Sequence, residues 1–110
     1  MSIEQTEVID AIGINDLTGD VILTITDYFE WINNDPKHLN LIQEKLNTYL
    51  RFIESGEIIN AYPDAKNRAV LIDVIYKYPL VKEAIIFYNQ VALIIENAGV
   101  KFTHRLFLDQ

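Results

Sequence analysis

The sequence predicts a two-layer α+β domain: a mostly antiparallel five-stranded sheet with two helices on one face, in the order ββαββαβ. Three observations carry this expectation. Short segments rich in β-branched and aromatic residues alternate apolar with polar positions, which is the period of a half-buried strand. Two longer segments, opened by Pro36 and Pro79 and closed by Gly56 and Gly99, repeat apolar residues every three or four positions, as a helix requires. No Gly-, Ser- or Pro-rich linker interrupts the chain, so residues 1–110 form a single domain, with 1–6 as a loose lead-in.

The elements follow in order. Residues 7–14 alternate Val8, Ile12 and Ile14 with polar neighbours and make the first strand. Residues 15–20, Asn-Asp-Leu-Thr-Gly-Asp, supply turn chemistry, because Asn and Asp side chains bond nearby backbone and Gly19 accepts a positive φ. Residues 21–26, Val-Ile-Leu-Thr-Ile-Thr, are the second strand and complete a hairpin. The aromatic run 28–32 leads to Asp35-Pro36, a helix start in which Asp35 caps free N–H groups and Pro36 occupies a position that needs none. That helix continues to about Ser55 with Leu39, Ile42, Leu46, Tyr49 or Leu50, and Ile53 on one face, and Gly56 stops it. Residues 57–62 are expected as a short third strand, 63–67 as a turn and 68–77 as a fourth strand. The second helix runs from Pro79 to near Gly99. Its inward face is expected to hold Ala84, Ile85, Tyr88, Val91, Ala92 and Ile95, and it is apolar over more than half its circumference, so packing on one side leaves Ile86, Leu93 and Ile94 without cover. Residues 100–108 alternate as the last strand.

Charge is distributed unevenly. The first 36 residues hold eight carboxylates (Glu4, Glu7, Asp10, Asp16, Asp20, Asp27, Glu30 and Asp35) and no Lys or Arg. Net charge is -7. An acidic balance repels nucleic acid and anionic lipid and attracts basic partners. There is no cysteine, which excludes disulfides, thiolate metal sites and thiol catalysis. The acidic, polar N-terminus is unlike a signal peptide, and the apolar stretch 84–95 is too short to span a bilayer. A cytoplasmic location is the expectation.

No catalytic or cofactor motif stands out. The two histidines, His38 and His104, fall on different elements; a metal would need a third ligand such as Asp73 or Glu57, and the simpler expectation is a surface His38 and a sheet-face His104. Asn15, Asp16, Thr18 and Asp20 lack the alternation and terminal Glu of a calcium loop and suit a hairpin turn. Asp27 and Glu30 flank aromatics; one buried carboxylate would gain acid–base competence, whereas a turn cap and a solvated surface acid explain them more simply. No metal and no cofactor are therefore expected.

Several segments together resemble a known family. They are residues 8–10 (Val-Ile-Asp) with 12–13 (Ile-Gly), 21–27 (Val-Ile-Leu-Thr-Ile-Thr-Asp) with Trp31, and 38–39 (His-Leu). The set continues through 43–47 (Gln-Glu-Lys-Leu-Asn), 52–57 (Phe-Ile-Glu-Ser-Gly-Glu) and 62–63 (Tyr-Pro). The family is DUF6572, small bacterial proteins of unknown function, and the likeness covers most of residues 7–98, most specifically 43–57. A His often follows the Asp in that family, and here Tyr28 stands in its place. The resemblance implies a cytoplasmic bacterial protein and supplies no activity.

The expectation is a non-enzymatic protein-binding module that docks a basic partner, as immunity proteins dock toxin domains, with Asp16, Asp20, Asp27, Glu30 and Trp31 as the contact residues. The alternatives are a small enzyme using Asp27, Glu30 or His104 in a cleft, and a self-associating protein that dimerises through the second helix.

Overall fold

Strand β1 (Ala11–Ile14) and strand β2 (Val21–Asp27) form the expected antiparallel hairpin, with Ala11 opposite Thr24 and Ile14 opposite Val21. The turn is built as its residues dictate. Asn15 Oδ1 accepts the amides of Leu17 and Thr18, and Gly19, at φ 78°, returns its amide to the Asn15 carbonyl. Helix α1 (Pro36–Glu54) follows, then a short helix α2 (Glu57–Ala61) and a 3₁₀ turn (Pro63–Ala65). Strand β3 (Val70–Tyr76), helix α3 (Lys82–Asn97) and strand β4 (Lys101–Leu106) complete the chain. The computed structural model describes residues 3–32 and 36–107; Asp35, expected as a helix cap, and Leu108, expected in the last strand, lie outside them.

The sheet has four strands in the order β1-β2-β3-β4, and β2–β3 and β3–β4 are both parallel. This corrects the expected five-stranded, mostly antiparallel arrangement. Residues 57–62 hold the cause: they fold as α2 rather than as a strand. Gly56 takes a left-handed conformation (φ 83°) that ends α1 and turns the chain at once into a new helical turn. Its apolar pair, Ile58 and Ile59, is consecutive rather than alternating; Ile58 is buried while Ile59 packs at the edge of the core. With no strand between α1 and Val70, both remaining connections become strand–helix–strand crossovers, which join parallel strands. Two right-handed crossovers that step in one direction put both long helices on one face. The expectation of helices on a single face therefore holds for α1 and α3.

The core lies between that face and the helices. Val21, Leu23 and Ile25 from β2 and Ile72 and Val74 from β3 meet Ile42, Leu46 and Tyr49 from α1 and Tyr88 and Ile95 from α3. Positions between them, such as Thr24, Leu71 and Ile75, face the other way and are half-buried.

Residues 3–6, expected as a loose lead-in, are packed. Ile3 is 1% exposed in the core. Lys45, on the inward face of α1, is fully buried and donates to the Gln5 and Val8 carbonyls and to Asp10 Oδ1 at 2.7, 2.7 and 2.9 Å. An ammonium group has three protons, and all three are used. Tyr49 adds a second fastening: its hydroxyl donates to the Thr24 carbonyl and accepts the Asp10 amide. These contacts, rather than strand pairing, hold residues 7–10, so β1 starts later than the alternation suggests.

Candidate functional site at the carboxyl ends of the parallel strands

In sheets with parallel strands, ligands and partners meet the protein beyond the carboxyl ends of the strands. Here those ends bring together a group of polar and aromatic side chains. Asp27 is the last residue of β2 and Tyr76 the last of β3. His104 sits in β4 beside Val74, on the helix-facing side.

Asp27 is buried. Its Oδ1 accepts the Phe29 amide, and its Oδ2 accepts a hydrogen bond from His38 Nε2 at 2.7 Å. His38 lies in the first turn of α1 and is 3% exposed. This corrects the expectation of a surface residue. His38, Ile42, Lys45 or Leu46, and Tyr49 recur every three or four positions, and that stripe is the buried face of α1. Trp31 stacks on the His38 ring, with centroids 3.6 Å apart and planes 17° apart, and Phe29 tilts against it at 5.8 Å. His38 thus clasps the segment leaving β2 twice, by a hydrogen bond at Asp27 and by a stack at Trp31. The side chains of Phe29 and Trp31 turn inward; Tyr28, Glu30 and Ile32 between them are exposed. Asp27 caps a turn and Glu30 is solvated, as the simpler expectation had it, yet Asp27 is also buried, which is the condition the acid–base alternative required.

A second cluster lies alongside. The Tyr76 hydroxyl bonds His104 Nδ1 at 3.0 Å, and Tyr88, from the inward face of α3, stacks on His104 at 4.7 Å. Burial pushes the Tyr76 and Tyr88 hydroxyls above the ordinary tyrosine range, and for Tyr88 the Asp27 charge adds to the effect. Burial lowers the His104 pKa below the usual imidazole value, against a smaller opposing pull from Asp73. His38 Nδ1, Trp31 Nε1 and the Tyr88 hydroxyl are buried and make no hydrogen bond with any described residue. Among the described residues, no three His, Asp or Glu side chains converge on a point where a metal could sit.

The five expected contact residues do not form one patch. Asp27, Glu30 and Trp31 share the carboxyl end of β2. Asp16 and Asp20 occupy the turn at its other end, about 20 Å away along the strand at 3.3 Å per residue. Asp16 is exposed; Asp20 pairs with Lys101 at 2.8 Å. Asp27 is buried against His38 and presents no charge to solvent, and Trp31 is half-buried with its ring on His38. Of the five, Asp16 and Glu30 are exposed carboxylates with no ion pair among the described residues, and only Glu30 lies at the candidate site. The acidic excess of the early chain is partly absorbed by later residues, through Asp10–Lys45, Asp20–Lys101 and Asp27–His38. Tyr28, whose place in core or contact surface the sequence leaves open, is exposed, as is Ile32, which the sequence does not single out; the alternation across 28–32 and the helical stripe through His38 are the signals that carry this arrangement.

The family model for DUF6572, a family of unknown function, matches residues 1–108, so the chain belongs to that family. No curated protein and no solved structure matches it. No helix among the described residues is long and apolar enough to cross a membrane.

Proposed function

We propose that this chain is a non-enzymatic protein-binding module of the bacterial cytoplasm. Its docking surface is the segment 28–32, and its partner is a basic protein. The observation that supports this most is the way the segment is held. Phe29 and Trp31 pack on His38, Asp27 accepts the Phe29 amide and the His38 hydrogen bond, and Tyr28, Glu30 and Ile32 are left exposed. An exposed Tyr and Ile around a carboxylate combine contact area with a charge that selects a cation, at little cost in ordering. The net charge of -7 favours the approach of a basic protein from a distance.

The test is site-specific photo-crosslinking in the native host, with the crosslinker at Tyr28 and, as control, at the exposed Asn60 on α2. The expected result is one basic protein captured from position 28, absent from position 60, and lost when Glu30→Lys is added. Capture of nothing, or of an acidic protein that Glu30→Lys leaves bound, contradicts the proposal.

One observation favours a second reading, a small acid–base enzyme. Asp27 holds His38 through Nε2, and the other ring nitrogen has no hydrogen-bond partner among the described residues, which is the arrangement of an oriented general base. That nitrogen is buried beneath Trp31, and this reading requires Trp31 to move. Turnover of a model ester or phosphoester by the wild type and not by folded His38→Gln would support it.

A further inference from the structure

Helix α3 carries an outward stripe with a definite order. At 100° per residue, Lys82, Ile85, Ile86, Asn89, Leu93 and Glu96 fall on one side of the helix, opposite the buried Ala84, Tyr88 and Ile95. All six are exposed, including Ile85, which its spacing places on the inward face. Leu93 is 66% exposed, and its neighbour Ile94, at the rim of the groove between α1 and α3, is 62% exposed. Between Glu83 and Glu96 the helix has no charged residue, in a protein where 23% of residues are charged. The stripe therefore runs cation, aliphatic pair, amide, aliphatic, anion.

We propose that this face binds a second copy of the chain, α3 against α3, antiparallel about a two-fold axis at Asn89. The order of the stripe is what selects this occupant. Reversing the helix about Asn89 places Lys82 opposite Glu96 of the other copy, Ile85 opposite its Leu93, and Asn89 opposite itself. A two-fold contact needs this self-complementarity, since each residue must suit its mirror position. Lys82 and Glu96 form no ion pair with a described residue, so both are available, and they stand about 21 Å apart along the helix at 1.5 Å per residue. The central amide pair fixes the register, as a single buried Asn does between paired helices. A chain with net charge -7 repels its own copy over most of its surface, and α3 is where the contact meets no such repulsion. This surface is distinct from the segment 28–32.

The chain has no cysteine, so Asn89→Cys introduces a unique thiol on the axis. On mild oxidation it should form a disulfide-linked dimer, while Asn60→Cys on α2 forms no such crosslink. Sedimentation of the unmodified protein should show a dimer that Leu93→Lys weakens about tenfold or more, as loss of a central anchor does. Lys82→Glu and Glu96→Lys should each weaken it, and the double variant should restore it, because the swapped charges meet again across the axis. A monomeric wild type overturns the proposal. So does a dimer that Leu93→Lys leaves intact, or one in which the double variant is no tighter than the singles.

Discussion

Lys45 places its ammonium group where no water reaches it, and its three bonds join α1 to the chain ahead of β1. Replacing it with Met leaves the Asp10 carboxylate buried without a counter-charge, and breaking such a pair costs about 3–5 kcal/mol. Urea unfolding of Lys45→Met should show a loss of that size, and hydrogen exchange should show residues 5–10 opening first. His104 gives a residue-scale pH dependence. Its pKa is lowered by burial, so between the folded value and the ordinary 6.5 the unfolded chain binds a proton that the folded chain does not. Stability is full above pH 6.5 and falls as the pH drops through that window. Denaturation of the wild type and of His104→Phe at matched pH values should show the slope shrinking in the variant. Neither Lys45 nor His38 was legible as a buried polar residue from sequence. Helical spacing puts both on the inward stripe, yet a buried charge is stable only beside its partner. Those partners, Asp10 and Asp27, are remote in the chain and are found only once it has folded.

Gly56 joins α1 to α2 at φ 83°, and a Cβ there would meet nothing within 4 Å. Gly56→Ala therefore meets no neighbouring side chain and loses only the left-handed backbone preference, in which its Cβ crowds its own backbone, about 1–2 kcal/mol. A larger loss in thermal denaturation would mean that the α1–α2 junction is held by more than glycine's freedom. The hairpin, α1 and α3 could be read from sequence because each is announced locally: Asn15 and Gly19 build the turn, Pro36 and Gly56 bracket a periodic stretch, and Pro79 precedes another. Residues 57–62 could not be read this way. A six-residue apolar run carries no period long enough to separate strand from helix, and Gly56 permits either continuation. That one element decides whether β2 and β3 pair directly, so the error spread from a short helix to the direction of the sheet. His38 acts at this scale too, as the pin between α1 and the segment after β2. His38→Ala removes both the Asp27 bond and the Trp31 stack. The amides of residues 29 and 31 should then exchange faster than in the wild type while those of β3 keep their protection.

Across the whole molecule, two tyrosines on different helices are held neutral by the core. Burial pushes Tyr49 and Tyr88 above the ordinary value of 10.0, so above that pH the folded state keeps protons that the unfolded state releases. Stability falls as pH rises from 10 upward, and Tyr49→Phe should flatten the fall, although it also leaves the Thr24 carbonyl and Asp10 amide unbonded. The charge balance belongs to this scale as well. Composition gave its sign and size but not its layout: the fold uses Asp10, Asp20 and Asp27 internally and leaves Asp16 and Glu30 at opposite ends of β2. Charge reversal therefore acts differently from site to site. At Asp27 it would disrupt the support of the docking edge; at Asp16 it changes only the surface field, and at Glu30 it also removes a charge from the docking segment itself. The most direct measurement is the association rate of the crosslinked partner against ionic strength, for wild type and for the Asp16→Lys, Glu30→Lys double variant. Slower association of the variant at low salt, converging with the wild type as salt rises, is the predicted result. Equal rates for the two proteins at low salt would contradict docking of a basic partner on this acidic module.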